Sequence, residues 1–187
     1  VSTTGQYNVA IGAFALDANT TAIKNTAVGA YALTDNTTGA NNTASGYASL
    51  ANNTTASNNT AYGFESLTQN TTGVNNTVVG AYALDANTTG QESVAVGTYA
   101  LTASNGSFNT ALGYNTMAAN TTGTHNVAVG YAALDANTTA DNNTAIGSKS
   151  LGANTTGQQN TALGSLAADA ITLSLIHISE PTRPIDI

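Results

Sequence analysis

Short apolar triplets, each closed by a glycine, alternate along the chain with polar stretches rich in Asn and Thr. The closing glycine recurs every 17 residues, apart from a single interval of 16 residues between Gly97 and Gly113. The ten glycines in this register are Gly12, Gly29, Gly46, Gly63, Gly80, Gly97, Gly113, Gly130, Gly147 and Gly164. A strict period of this length over residues 8–170 indicates a solenoid, in which each repeat forms one coil of a stack.

Each repeat follows the consensus N-T-A-V-G-x-Y-A-L-x-x-N-T-T-G-x-N and has room for two short strands and two turns. We predict one strand at T-A-V-G and a second at Y-A-L, with the glycine at a corner that needs a positive φ. The N-T-T-G segment has the residues of the opposite turn. Thr, Val, Asn and Gly are weak helix formers. The sequence therefore predicts an all-β fold, a parallel β-solenoid or β-roll of about ten 17-residue coils, with residues 1–7 as a partial N-terminal coil.

The triplet strand is apolar on both faces, and this predicts self-association. Two sets of side chains are expected to point into the roll. The first is the V/I/L position of the triplet: Ile11, Val28, Val79, Val96, Leu112, Val129, Ile146 and Leu163. The second is the Leu ladder: Leu16, Leu33, Leu50, Leu67, Leu84, Leu101, Leu134 and Leu151. The Ala ladder is expected on the other face: Ala10, Ala27, Ala44, Ala61, Ala95, Ala111, Ala128, Ala145 and Ala162. Because one roll covers only one face, we expect further copies of the chain on the other.

Stacking of like residues also accounts for the polar positions. Successive coils lie about 4.8 Å apart, so each position of the repeat becomes a ladder. Asn gains from such stacking through amide hydrogen bonds, and the turn Asn is the clearest case: Asn19, Asn36, Asn53, Asn70, Asn87, Asn120, Asn137 and Asn154. Like charges at this spacing repel by about 1 kcal/mol even in water. Asp17, Asp85, Asp135 and Asp169 share one repeat position but never fall in adjacent coils.

The segments "NVAIGAFAL", "NTAVGAYAL", "SVAVGTYAL" and "NVAVGYAAL" resemble the head repeats of YadA-like trimeric autotransporter adhesins. Similar arrays occur in phage and viral tail-fibre proteins. The resemblance implies a left-handed parallel β-roll that forms a tight homotrimer and binds extracellular-matrix or cell-surface ligands. It also implies an extracellular location, either on a cell surface with an outer-membrane anchor or in a virion fibre. The chain departs from the bacterial heads in its longer N-T-T-G turn.

Composition and charge exclude several classes of function. The chain has no Cys and no Trp, so a disulfide framework and a thiolate metal site are excluded. Its net charge is −7, and Lys24, Lys149 and Arg183 are its only cationic residues, which argues against a nucleic-acid partner. No apolar run approaches the roughly 20 residues of a membrane span, so we expect no membrane insertion by this segment.

Catalytic chemistry is not expected either. His125 is the only histidine before the C-terminal tail, and it occupies a turn position typical of a solvated loop residue. The acids are dispersed around the coil, and no phosphate-binding or nucleophile motif occurs. We therefore predict no enzyme, no catalytic or metal-binding residue and no cofactor.

Aromatic residues follow the glycine in eight consecutive coils: Phe14, Tyr31, Tyr47, Phe64, Tyr82, Tyr99, Tyr114 and Tyr131. They alternate in pairs between the second and the first position after the glycine. This pattern fits a surface-binding strip for glycans or a host surface, and it also fits simple packing at a corner of the roll. The eight N-T-T turns match the N-glycosylation pattern, for which an Asn/Thr ladder is the plainer explanation.

These observations favour a structural or adhesive fibre head segment that attaches through a repetitive homotrimeric β-roll surface. A phage or viral tail-fibre shaft is the alternative. An ice-binding solenoid is a third hypothesis, although its usual T-x-T strand array is missing and the Thr pairs lie in a turn.

The repeat stops after Ala170, and residues 171–187 form a non-repeat tail that contains both prolines of the chain. The stretch "LSLIHISEPTR" at residues 173–183 back-translates to a sequence that resembles the reverse complement of a transposase sequencing adapter. We interpret residues 173–187 as translated adapter on a truncated gene and expect no designed cap from Leu175, Ile176 and Ile178. The alternative is a genuine capping segment.

Overall fold

A single stack of short parallel strands runs through the computed structural model, which describes residues 4–172 and the backbone of His177–Ile178. Each coil contributes one strand, and each strand pairs with its neighbours in the order β1 to β11, so that the end strands β1 and β11 have one partner each. The strands are β1 (Val9–Ile11), β2 (Thr26–Val28), β3 (Thr43–Ser45), β4 (Thr60–Tyr62), β5 (Thr77–Val79), β6 (Val94–Val96), β7 (Thr110–Leu112), β8 (Val127–Val129), β9 (Thr144–Ile146), β10 (Thr161–Leu163) and β11 (His177–Ile178). The described residues contain no helix, and the predicted all-β parallel solenoid is confirmed.

The strand register places like residues over like. Thr26, Ala27 and Val28 pair with Thr43, Ala44 and Ser45 of the next coil. The register survives the 16-residue interval, since Val94 of β6 still pairs with Thr110 of β7. The repeat position, rather than the number of residues between two strands, therefore determines which residues become neighbours.

The glycine that follows each strand lies at a corner, as predicted. All ten have φ between 123° and 141°, a region that residues with a Cβ rarely adopt. A Cβ on Gly80 would also lie 2.5 Å from the carbonyl oxygen of Gly97, its counterpart in the next coil. Both the backbone conformation and the close approach of successive coils thus require glycine at this corner.

The prediction of a second strand at Y-A-L is wrong, because this segment turns. Tyr31 and Leu33 both have left-handed backbones, with φ of 61° and 51°. The backbone N–H of Tyr31 still donates to Ala13 of the previous coil at 2.9 Å, and that of Leu33 donates to Ser49 of the next coil at 3.1 Å. A coil this small must reverse its direction tightly. Two left-handed residues achieve the reversal while their N–H groups stay directed along the stack, at a strain of about 1–2 kcal/mol each.

The two faces of the strand are assigned the wrong way round in the sequence-based prediction. The Ala ladder fills the interior, with Ala27 fully buried, whereas the V/I/L position points outward and Ile11 is 61% exposed. The Leu ladder is buried as predicted, and Met117 takes its place in the coil that lacks the Leu. Ala27 and Leu33 belong to one buried cluster, so a small side chain from the strand meets a large one from the turn. Most coils thus bury one small and one large apolar side chain, and one coil buries Val78 together with Leu84.

The other half of the interior is polar, and the predicted turn-Asn ladder is confirmed. The amide of Asn53 donates to the Oδ1 of Asn36 at 2.9 Å, and the amide of Asn70 donates to the Oδ1 of Asn53 at 3.0 Å. Within its own turn, Asn70 also donates to the carbonyl of Gly73 at 2.9 Å. These residues are fully buried, and their burial is stable because their amides find partners, whereas the buried Oδ1 of Asn137 farther along the ladder has none.

A second Asn ladder, buried except at its first member Asn8, lies just before the strands and was not predicted. Its members are Asn8, Asn25, Asn42, Asn59, Asn76, Asn109, Asn126, Asn143 and Asn160. The amide of Asn42 donates to the carbonyl of Ala56 at 2.8 Å, and its Oδ1 accepts the backbone N–H of Asn59 at 2.9 Å. The first Asn of the consensus is as regular as the turn Asn, and this regularity was the signal in the sequence.

The 16-residue interval is accommodated by one side chain. In the regular coils the backbone oxygen of Thr88 accepts the N–H groups of Thr71 and Thr72 at 3.0 and 3.1 Å. One coil later the Oδ1 of Asn105 accepts the N–H groups of Thr88 and Thr89 at 2.7 and 3.2 Å. It also accepts the hydroxyl of Thr88 at 2.9 Å. A side-chain carbonyl thus supplies the acceptor that the shortened backbone does not.

Beyond Ala170 the backbone of β11 pairs in parallel with β10, and His177 lies opposite Thr161. The repeat register did not predict this pairing. Residues 173–176 and 179–187 lie outside the described residues, as does the side chain of Ile178. The interpretation of the tail as translated adapter therefore stays a prediction.

Candidate functional site: an aromatic ladder and an outward strand face

Eight aromatic side chains form one continuous ladder along a corner of the roll. Each ring contacts the next, with centroid separations from 5.2 to 6.0 Å. The ladder comprises Phe14, Tyr31, Tyr47, Phe64, Tyr82, Tyr99, Tyr114 and Tyr131. The structure thus brings together all of the aromatic residues that the sequence singled out.

Ring geometry in the ladder follows the position of each residue after its glycine. Phe14 and Tyr31 both occupy the second position, and their rings lie parallel at 5.2 Å and 14°. Tyr47 occupies the first position, and Tyr31 meets it edge to face at 5.7 Å and 74°. The same alternation of parallel and edge-to-face contacts continues to Tyr131. Both arrangements are favourable for aromatic pairs, so the ladder stabilises the stack as well as forming a surface.

The ladder is open to solvent despite these contacts. Apart from Tyr82, its rings are exposed by 37% (Tyr99) to 55% (Phe14). In the two coils after Tyr131 the corner carries Ser148 and Lys149, then Ser165 and Leu166. The aromatic surface is therefore bounded along the stack.

The surroundings of the ladder are acidic near its middle. Partial burial raises the pKa of the Tyr82 phenol, and the nearby charges of Glu65 and Asp85 raise it further. Exposed apolar rings bordered by carboxylates give this corner a surface that differs from the Asn/Thr turns opposite.

A second continuous surface is the outward face of the strands. Its first column carries Thr or Val: Val9, Thr26, Thr43, Thr60, Thr77, Val94, Thr110, Val127, Thr144 and Thr161. Its second column is aliphatic apart from Ser45 and Tyr62: Ile11, Val28, Val79, Val96, Leu112, Val129, Ile146 and Leu163. Leu112 and Leu163 are 46% and 49% exposed. In the single chain this face, an aliphatic column beside a column of Thr and Val, is uncovered.

His125 lies on the surface of a turn. The exposed ring of His125 stacks on Phe108 at 4.8 Å, and its Nδ1 lies 3.1 Å from the Oγ1 of Thr124. Within residues 4–172, no three His, Asp or Glu side chains come close enough together to hold a metal ion.

A cavity of about 440 Å³ opens at the N-terminal end of the roll, lined by Tyr7, Leu16 and Asn19 among others. In the described part of the chain there is no helix of the length and hydropathy needed to cross a membrane.

The Asp column keeps its charges separated by a neutral coil. Asp135 and Asp169 lie on either side of Gly152, whose position in the regular repeat would hold a side chain between them. Burial raises the pKa of Asp135 above its ordinary value, and the charge of Asp169 adds to this, whereas Lys149 acts in the opposite direction.

The N-T-T turns are poor glycosylation sites in the folded chain. Their Asn residues are buried, and the amide nitrogen that would carry a glycan already donates hydrogen bonds, as in Asn53 and Asn70. The hydrogen-bonded ladder accounts for this motif without any modification.

Comparison of the chain with protein-family models, with curated proteins and with solved structures finds no match in any of the three.

Proposed function

We propose that the chain is a structural or adhesive segment of an extracellular fibre, in which a repetitive surface mediates attachment without enzymatic activity. The observation that carries this proposal is the exposed aromatic ladder, which presents eight rings in a line along the roll. Large exposed apolar surfaces on soluble proteins are commonly interaction sites. The resemblance to YadA-like heads supports the same role and an extracellular location, on a cell surface or in a virion fibre.

Attachment through the ladder is tested with immobilised glycans, matrix proteins and host cells. Replacing Tyr47 and Phe64 together with Ser removes a parallel pair from the middle of the ladder and is expected to weaken binding at least tenfold. Phe108→Ser is the matched control, because this ring is 40% exposed but lies outside the ladder. Equal loss of binding in both variants, or no loss in either, would contradict an adhesive role for the ladder.

The functional state in this proposal is a homotrimer assembled through the outward strand face. β-Branched and aliphatic side chains stand exposed along ten strands, and their burial between chains would be favourable by about 25 cal/mol per Å² of apolar area. Val79→Lys places a charge in the middle of this face and is expected to yield monomers in sedimentation equilibrium. Thr72→Lys adds the same charge to the exposed turn and should leave the trimer intact. A wild-type chain that stays monomeric at micromolar concentration would exclude this assembly.

A phage or viral tail-fibre shaft remains the alternative within the same structural class. Its solenoid and trimer would be the same, and the two differ in the domains that accompany the repeat. Recovery of the source gene distinguishes them, since a membrane-anchor barrel indicates an adhesin and a C-terminal chaperone domain indicates a tail fibre. The same amplification decides whether residues 173–187 are encoded in genomic DNA.

One observation favours an ice-binding solenoid as a second candidate function. Seven of the ten outward strand positions in the first column carry Thr, which forms a regular hydroxyl file on a strand face. The neighbouring column is irregular, because Tyr62 and Ser45 interrupt its aliphatic side chains. A thermal-hysteresis measurement separates this function from adhesion, and we expect no hysteresis.

A further inference from the structure

The ladder contains two kinds of parallel ring pair. Tyr82 and Tyr99 stack at 5.4 Å and 6°, and Tyr114 and Tyr131 stack at 5.9 Å and 6°. The other two parallel pairs each contain one Phe: Phe14 with Tyr31 and Tyr47 with Phe64. Two tyrosine rings therefore stack in parallel, in neighbouring coils, at only two steps of the ladder.

We propose that Tyr82–Tyr99 and Tyr114–Tyr131 are oxidative cross-linking sites, at which a one-electron oxidant joins one coil covalently to the next. The oxidant class is a peroxide used through a peroxidase. The inference concerns modification of the fold and does not depend on what the ladder binds.

The chemistry balances without any group from the protein beyond the two phenols. Each phenol loses one electron and one proton to give a phenoxyl radical. The two radicals form a carbon–carbon bond between ring carbons adjacent to the hydroxyl groups, and the ring hydrogen at each of these carbons moves to the oxygen and restores the phenol. Overall two electrons and two protons leave, and they reduce one molecule of hydrogen peroxide to two molecules of water.

Geometry makes these two pairs the ones that couple. Parallel rings at neighbouring heights bring their ring carbons alongside one another, whereas the edge-to-face pairs Tyr31–Tyr47 and Tyr99–Tyr114 lie at 74° and 86°. The backbone holds the parallel pairs in register, since the N–H of Tyr99 donates to Ala81 at 3.1 Å. Fixing two reactants in this way replaces a bimolecular encounter with an intramolecular step.

Access and protonation agree with the same assignment. Tyr99, Tyr114 and Tyr131 are exposed, so an oxidant in solution can reach both pairs. Partial burial raises the pKa of the Tyr82 phenol, which is protonated at neutral pH like an ordinary tyrosine, so formation of its radical releases a proton as well as an electron. The chain has no Cys, so these cross-links are an oxidative means of joining coils that needs no disulfide.

The test treats the full chain, at low concentration, with peroxidase and limiting hydrogen peroxide. Dityrosine fluorescence, the loss of two hydrogens per cross-link in the intact mass, and mapping of linked peptides are the measurements. We expect up to two intramolecular cross-links per chain, which join residue 82 to 99 and 114 to 131, and a higher unfolding temperature after oxidation. Tyr99→Phe should leave only the second cross-link, and Tyr99→Phe with Tyr131→Phe should abolish both.

Two further variants make the test discriminating. Phe64→Tyr converts a mixed parallel pair into a tyrosine pair and should add a third cross-link, to Tyr47. Tyr62→Phe removes a tyrosine that is 61% exposed but lies outside the ladder, and it should change nothing. The proposal is wrong if the double variant keeps its intramolecular dityrosine, if only cross-links between chains form, or if the wild type yields none while its tyrosines are oxidised.

Discussion

The regular coils and the single short coil satisfy the same hydrogen-bond donors by different means. In a regular coil the backbone oxygen of Thr88 accepts two backbone N–H groups and the hydroxyl of Thr71 from the coil before. In the short coil the side-chain oxygen of Asn105 accepts the equivalent three groups. The stack therefore requires an acceptor oxygen at a fixed height, and the chain can provide it with or without the seventeenth residue.

The buried amide ladders show the same substitution of acceptors near the short coil. Ser104 takes the place of the turn Asn, and its Oγ accepts the amide of Asn120 at 2.9 Å. Ser93 takes the place of the second Asn, and its Oγ accepts the backbone N–H of Asn109 at 3.2 Å. In each ladder a serine hydroxyl therefore replaces one asparagine amide, and the hydrogen bond to the next coil is kept.

Both kinds of coil require a glycine at the corner after the strand, and we expect its substitution to lower the free energy of unfolding more than any other change. Gly80→Ala in a regular coil and Gly97→Ala in the short coil should each cost about 3 kcal/mol or more, because φ lies near 139° and 134° and the new Cβ meets backbone. Gly152→Ala is the control, since its Cβ meets the mobile carboxylate of Asp169 and the same repeat position holds Ala51. Chemical denaturation measures all three. A corner substitution as mild as the control would show that the corner is not needed.

Replacement of a buried amide should rank next. Asn70→Leu removes two donated hydrogen bonds and the acceptor of the Asn87 amide, and we expect a loss of about 2–4 kcal/mol in the free energy of unfolding. Asn70→Ser copies the solution found at Ser104 and should cost less than half as much. If Ser and Leu prove equally costly at this position, the acceptor is not what the ladder requires.

The side-chain acceptor of the short coil should have a smaller effect. Asn105→Ala leaves the N–H groups of Thr88 and Thr89 without their acceptor, and water partly replaces it because the residue is exposed. We expect a loss of about 1–2 kcal/mol. Asn105→Asp keeps an oxygen in place and should stay near wild type. Hydrogen exchange at Thr88 and Thr89 reports the change locally, and unchanged protection in Asn105→Ala would contradict the comparison.

The smallest effect concerns a charge outside both ladders. The pKa of Asp135 is raised in the folded state, so the folded chain binds this proton more tightly than the unfolded chain does. Stability should therefore fall as pH rises from below the unfolded pKa through the folded pKa. Asp135→Asn should be more stable than wild type by a few tenths of a kcal/mol at neutral pH, after solvent screening, and equal to it at acid pH. Asp35→Asn, at an exposed turn position, controls for net charge. A gain that persists at acid pH would show another cause.

Periodicity predicted those features that every coil repeats in the same way. The parallel stack, the glycine corner, the Leu ladder and the turn-Asn ladder all follow from one period. Which face of a short strand points inward does not follow from the period, because T-A-V has apolar side chains on both sides. The small interior favours Ala27 over Val28, although one coil places Val78 at the same buried position. The Y-A-L segment has the composition of a strand, yet the need to close a small coil places Tyr31 and Leu33 in left-handed conformations that propensity disfavours.

The sequence predicted which residues form the candidate site but not how their rings are arranged. Spacing identified the eight aromatic residues. Their paired alternation between two positions was visible in the sequence, but the parallel and edge-to-face contacts that result from it were not predicted. The roles of Asn105 and of the second Asn ladder were missed for different reasons. Asn42 is part of a regular column whose burial the pattern did not reveal, whereas Asn105 compensates for a deletion and has no counterpart in the other coils.

The hydrogen bonds between coils also have a mechanical consequence. They run along the stack, so a tensile load applied to its two ends passes through every interface between coils in series, and the weakest interface yields first. That interface is expected at the short coil, where Ser93 and Ser104 interrupt both amide ladders and Asn105 replaces a backbone acceptor. Under tension, a fibre built in this way would open at one defined interface, while the coils on either side stay folded.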